Sequence, residues 1–122
     1  MPINFTQAER NRLLQFLNFG INNAFNAPTI AAHMGYPTGG NQVKTRNLIR
    51  ECIQHDHDLI ASTLKKPRGF YKIHRNNIQE LHDYLDSLEN RAREINGRRT
   101  NLIYNWNVSV PANQTNRNIL PY

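Results

Sequence analysis

Val43, Arg46, Asn47 and Arg50 recur at i, i+3, i+4 and i+7, the spacing of one face of a helix. Their chemistry is recognition without bond making. An arginine offers two parallel donors to the acceptor pair of guanine, an asparagine matches adenine, and a valine can touch a thymine methyl. The face is therefore expected to meet base edges of double-stranded DNA. Lys44, Lys65, Lys66, Arg68 and Lys72 surround it in sequence. A lysine is a point charge without a fixed fork, so these residues suit phosphate and carry little sequence information.

One other stretch invites chemistry. His55-Asp56-His57-Asp58 holds ligand types that suit zinc or manganese. On an extended chain, however, alternate residues point to opposite sides. A second cysteine is missing, since Cys52 is the only one, and no helical His-Glu pair or third ligand stands nearby. The stretch reads as a polar turn. Gly39-Gly40 lacks the spacing and the following Lys-Ser or Lys-Thr of a phosphate loop, and no nucleophile motif occurs. No enzyme activity, metal or cofactor is expected.

The elements that would position these residues follow from local signals. Thr6 and Glu9 form a capping box, so a first helix starts at Gln7, with Gly20 as its expected stop. Asn22 to Phe25 leads on and contributes a short strand. Asn26 caps a second helix with Pro28 in its first turn, and Gly35 ends it. After the turn Tyr36 to Gly40, Asn41 is the expected cap of a third helix running to about His55. Thr45, Leu48, Ile49, Cys52 and Ile53 supply its inward face. Two short helices joined by a tight turn make a helix-turn-helix. Leu59 to Leu64 and Phe70 to Ile73 read as a hairpin, with Lys65 to Gly69 as its loop.

Asn76, with Gln79 in capping-box position, is expected to start a long helix. Ile78, Leu81, Leu85, Leu88, Ala92, Ile95 and Leu102 keep alternating steps of three and four, a heptad seam with a gap at Arg99. Its first residues are expected to complete the monomer core. Leu85, Leu88, Ala92, Ile95 and Leu102 are assigned to dimerisation; the competing arrangement folds this helix back over the first. Gly97 either ends the helix or softens it. From Asn107 onward the polar, proline-containing sequence is expected to be a disordered tail.

The fold class is thus mainly α with a small β-hairpin (α+β), a winged helix-turn-helix followed by a long C-terminal helix. Its expected divisions are residues 1–75, the helix 76–106 and the tail 107–122. The 122 residues suffice for one core, and no run approaches the roughly 18 apolar residues of a membrane span. The N-terminus lacks the pattern of a signal peptide, which predicts a cytosolic protein. Charge sharpens the picture. The net charge is +6, and residues 41–75 hold eight Lys and Arg against three acids. A concentrated basic segment is the expected footprint of phosphate binding.

From about Leu13 to Leu102 the chain resembles the winged-helix proteins encoded in bacteriophages and prophages. The likeness is carried by Asn23-Ala24, by Thr29 to Gly35, by Val43 to Ile49, and by Gly69-Phe70-Tyr71. It continues through Leu81 to Leu88 and on to Arg91-Ala92. It implies a third helix in the DNA groove and a regulatory or replication-associated role, in the cytoplasm of a host cell. The sequence departs from the family at the long Tyr36 to Gly40 turn, at His55 to Asp58 and in the tail. The alternative is a winged-helix module that holds a phage or host replication or transcription protein and does not read DNA.

Overall fold

The structure, a computed structural model, describes residues 3–113. Helices α1 (Gln7–Phe16), α2 (Ala27–Met34) and α3 (Val43–Gln54) precede strands β1 (Ile60–Thr63) and β2 (Gly69–Lys72) and helix α4 (Ile78–Ser109). Single 3-10 turns occupy Ile21–Asn23 and Pro111–Asn113. This is the expected architecture: mainly helical, with one antiparallel hairpin and a long C-terminal helix. The chain divides between Glu80 and Leu81 into two compact units. No helix among the described residues is long and apolar enough to cross a membrane.

The first unit is built on caps that the sequence announces. The Thr6 hydroxyl accepts from the Glu9 amide at 3.1 Å while the Glu9 carboxylate accepts from the Thr6 amide at 3.0 Å. The Asn26 side chain accepts from the Thr29 amide, and Gly35 closes α2 in the left-handed region at φ 75°. Two boundaries differ from expectation. α1 stops at Phe16, four residues before Gly20, because Leu17 turns into the core and the chain after it pairs with β2. The Lys72 amide donates to Asn18 O and the Gly20 amide to Lys72 O. α3 is preceded by Gln42 in place of Asn41. Gln42 sits at φ 49°, and its side-chain amide donates to Thr38 O and Gly40 O, fastening the turn.

Leu13, Leu17, Ile30, Met34, Leu48, Ile49, Cys52 and Ile60 form the core, with Tyr71 of β2 almost fully buried beside them. Burying each such aliphatic side chain is worth roughly 1.5–3 kcal/mol. Ile53, expected on the same inward face of α3, stays 40 % exposed at the end of the helix.

β1 and β2 pair antiparallel with Ile60 opposite Lys72 and Thr63 opposite Gly69. In place of the short strand expected over Asn22 to Phe25, the chain makes a 3-10 turn at Ile21–Asn23 and a single bridge at Phe25: its amide donates to Phe70 O at 3.0 Å, and the Phe70 amide donates back at 2.8 Å. Gly69 makes this approach feasible. It lies at φ 134°, and a Cβ there would run into the Phe25 carbonyl.

In α4 the cap is Asn77 rather than Asn76. The Asn77 side chain accepts from the Glu80 amide at 3.1 Å, while the Asn76 amide is taken by the His74 ring. Ile78 is 64 % exposed, so it does not complete the core as expected. The helix runs unbroken through Gly97 to Ser109. Residues 107–113 are therefore structured, contrary to the expected tail, because the first residue unable to donate an amide is Pro111. The rest of that expected tail, residues 114–122, lies outside the described residues.

Candidate nucleic-acid interface

α3 presents Val43, Lys44, Arg46, Asn47 and Arg50 to solvent while Thr45, Leu48, Ile49 and Cys52 face inward. The outward face is polar and cationic because the inward stripe consumes the apolar positions of this helix. Arg50 keeps its charge available in a specific sense. Its sequence neighbour Glu51 is buried and turned the other way, accepting from the Asn4 and Phe5 amides at 2.6 and 3.0 Å.

Two of the cations are held by aromatic rings. The Arg46 guanidinium lies 5.8 Å from the Phe70 ring centroid on β2, and its Nε donates to Asn41 O at 2.8 Å. Lys44 Nζ lies 4.3 Å over the Tyr36 ring. Such contacts restrain a long side chain and are worth about 0.5–1 kcal/mol at exposed sites. Arg46 thereby links α3 to β2 of the hairpin. Beyond it, Lys65, Lys66 and Arg68 are exposed in the loop of the hairpin.

Lys72 is placed elsewhere. Its Nζ lies 4.4 Å over the Phe19 ring, at the end of the hairpin remote from the loop. There it lines a cleft of about 300 Å3 together with Leu14, His57, Asp58, Leu59 and His74. Phe70, Tyr36 and Asn41, which set the cations of α3, were not singled out as site residues in the sequence. The one available signal is an aromatic within a few residues of each basic segment.

Glu9 and Tyr36 support the Lys44 side of the surface. The Tyr36 hydroxyl donates a short hydrogen bond to Glu9 Oε2. The Thr6 backbone bond, and then the Tyr36 bond, hold the Glu9 carboxyl below its ordinary range. Burial, and then Glu9, push the Tyr36 hydroxyl up.

The His55 to Asp58 stretch forms the turn after α3, with His57 at φ 59°. It brings together a different set from the one its sequence suggests. Cys52 Sγ and the Asp56 and Asp58 carboxylates lie within 4.8 Å of one another. Arg10 already occupies this cluster, its Nε donating to Asp56 Oδ2 at 2.8 Å. Burial pushes the Cys52 thiol up to about 12, so the sulfur is protonated at neutral pH and is a poor metal ligand.

Comparison with protein-family models, with curated proteins and with solved structures finds no match to this chain.

Proposed function

We propose that the first unit binds double-stranded DNA, with α3 in the major groove and the hairpin loop on phosphate. The observation that carries this reading is Arg46, held between Asn41 O and the Phe70 ring, which joins the outward face of α3 to strand β2 of the hairpin. On that surface Arg46, Asn47 and Arg50 read base edges and Val43 contacts a thymine methyl. Lys44, Lys65, Lys66 and Arg68 neutralise phosphate and set the register. Lys72, over Phe19, belongs to the edge of this surface at most. Restraint of Arg46 before binding reduces the side-chain entropy lost in the complex. The resemblance to phage-encoded winged-helix proteins agrees with a regulatory or replication role on DNA.

Binding to random duplex DNA across a salt series tests this. With these four cations on phosphate, log affinity falls with log salt at a slope of about −3 to −4. The Arg46→Ala/Arg50→Ala variant loses discrimination between selected and random sites, by about 1–3 kcal/mol for each lost base contact. Absent or salt-independent binding sinks the proposal and favours a protein partner for the same surface. Unchanged discrimination in the double variant moves the base contacts away from α3.

A further inference from the structure

One line of side chains on α1 runs along the end of α2 and the turn after it. Glu9, Arg12 and Phe16 recur at i, i+3 and i+7, one face of that helix. The Glu9 carboxylate accepts from the Tyr36 hydroxyl, and Arg12 Nη2 donates to His33 O at 2.9 Å. The Phe16 ring stacks on the His33 ring at 3.9 Å. Lys44 Nζ comes to the same Tyr36 ring from α3. Burial and Glu9 raise the Tyr36 hydroxyl, and the nearby Arg12 charge opposes that rise. Tyr36 thus stands between one cation of α1 and one of α3.

Lys44 and Arg46 mark opposite flanks of α3. A step of two residues turns about 200° around a helix of 3.6 residues per turn. Arg46 leans on Phe70 of the hairpin and Lys44 on Tyr36, with Val43, Asn47 and Arg50 between them on the outward face. The Tyr36 flank is therefore the one away from the hairpin. A helix lying in the major groove has a phosphate strand on either side of it, across a width of about 12 Å. If the hairpin serves one strand, the Tyr36 flank meets the other.

We propose that Arg12 and Lys44 form a second phosphate site on the flank of α3 away from the hairpin, gripping the strand across the groove. This rests on the DNA reading above and extends it to α1. Arg12 is exposed, and among the described residues it enters no ion pair. Its bond to His33 O engages one of the five guanidinium N–H donors and anchors the side chain, leaving donors for a phosphate oxygen. Glu9, the only acid in residues 1–50, is the opposing charge. Its carboxylate is engaged by the Thr6 amide and the Tyr36 hydroxyl, and the two cations outnumber it.

The salt series on duplex DNA, run with full-chain variants, tests this. Arg12 as a fifth cation on phosphate steepens the parent slope by about 0.9. Arg12→Gln keeps an N–H donor for His33 O and removes the charge. It is expected to flatten the slope by about 0.9 and to weaken random and selected duplexes alike. Arg12→Lys is expected to keep the parent slope. An unchanged slope in Arg12→Gln, with the fold checked by circular dichroism, overturns the proposal and leaves Arg12 as a cap on the end of α2. Phosphate ethylation interference on a selected site needs no variant. Interference on both strands flanking the read bases supports the second site, and interference confined to one strand overturns it. Failure of the DNA reading itself is distinct, because the parent chain then shows no salt-dependent binding at all.

Discussion

Asp58 and Glu9 show how single carboxyls in this small unit pull stability in opposite directions. Burial, and then the neighbouring Asp56, push the Asp58 carboxyl up. A folded-state value above the unfolded one favours folding fully only below the unfolded pKa, and that contribution is lost as pH rises through the folded value. At pH 7 the Asp58 carboxylate therefore costs stability. Asp58→Asn is expected to raise the thermal midpoint at pH 7, and the gain should shrink as the pH falls through the raised value at which Asp58 of the folded parent chain protonates. Thermal melts of both proteins across that range check this, and an equal gain at every pH would refute it. Glu9 has the reverse sign, its lowered pKa giving stability above the unfolded value that is lost on acidification. The outward residues of α3 were legible in the sequence because a helical face is a local pattern. What sets their side chains was not. Asn41 O and the Phe70 ring hold Arg46 from separate elements, a pairing that spacing within one helix does not report.

The elements themselves were legible where one residue type announces a boundary. Thr6, Asn26 and Gly35 do so because a capping oxygen or a left-handed glycine satisfies helix ends directly. The cap positions before α3 and α4 were each missed by one residue. Asn41-Gln42 and Asn76-Asn77 offer adjacent polar side chains, and the choice is made by partners in the turn, Thr38 O and Gly40 O in one case and the His74 ring in the other. Gly20 was read as a helix stop, yet it serves the pairing with Lys72 three residues after α1 has ended at its cap, Leu17. Gly69 marks the strictest joint. A side chain there meets the Phe25 backbone and a φ that other residues avoid. Gly69→Ala is expected to cost about 3 kcal/mol, within the 1–3 kcal/mol of backbone strain plus the lost bridge. Gly39→Ala, with open space at its Cβ, should stay within about 0.5 kcal/mol. Urea denaturation of the pair gives the comparison, and equal losses would remove Gly69 from this role.

On the scale of the whole molecule, the first unit is fastened by one buried cation. Arg10, 5 % exposed, donates to Asp56 Oδ2, Phe5 O and Gln7 Oε1 and lies 3.6 Å from Glu51. It ties the N-terminal segment and α1 to the end of α3 and the turn after it. Arg10→Met leaves Glu51 and Asp56 without their cation and is expected to cost about 3–5 kcal/mol in denaturant melts. A loss below about 1 kcal/mol would mean that solvent already screens the network. Arg10→Lys should rescue only part of it, since an ammonium lacks the planar fork. No sequence pattern announces a pairing of residues 46 apart, and the network was invisible for that reason. The charge distribution was visible, because it needs only counting. The pairing of β2 with the segment after α1 has a further meaning for how the chain is made. Asn18, Gly20 and Phe25 exchange backbone hydrogen bonds with Phe70 and Lys72, so the first unit cannot close until Lys72 has left the ribosome. The residues of α4 that follow are by then largely joined but still inside the ribosome, and they emerge as translation proceeds at about 5–20 residues per second. Small domains fold in microseconds to seconds, so the winged unit has time to form before the helix that follows it has emerged.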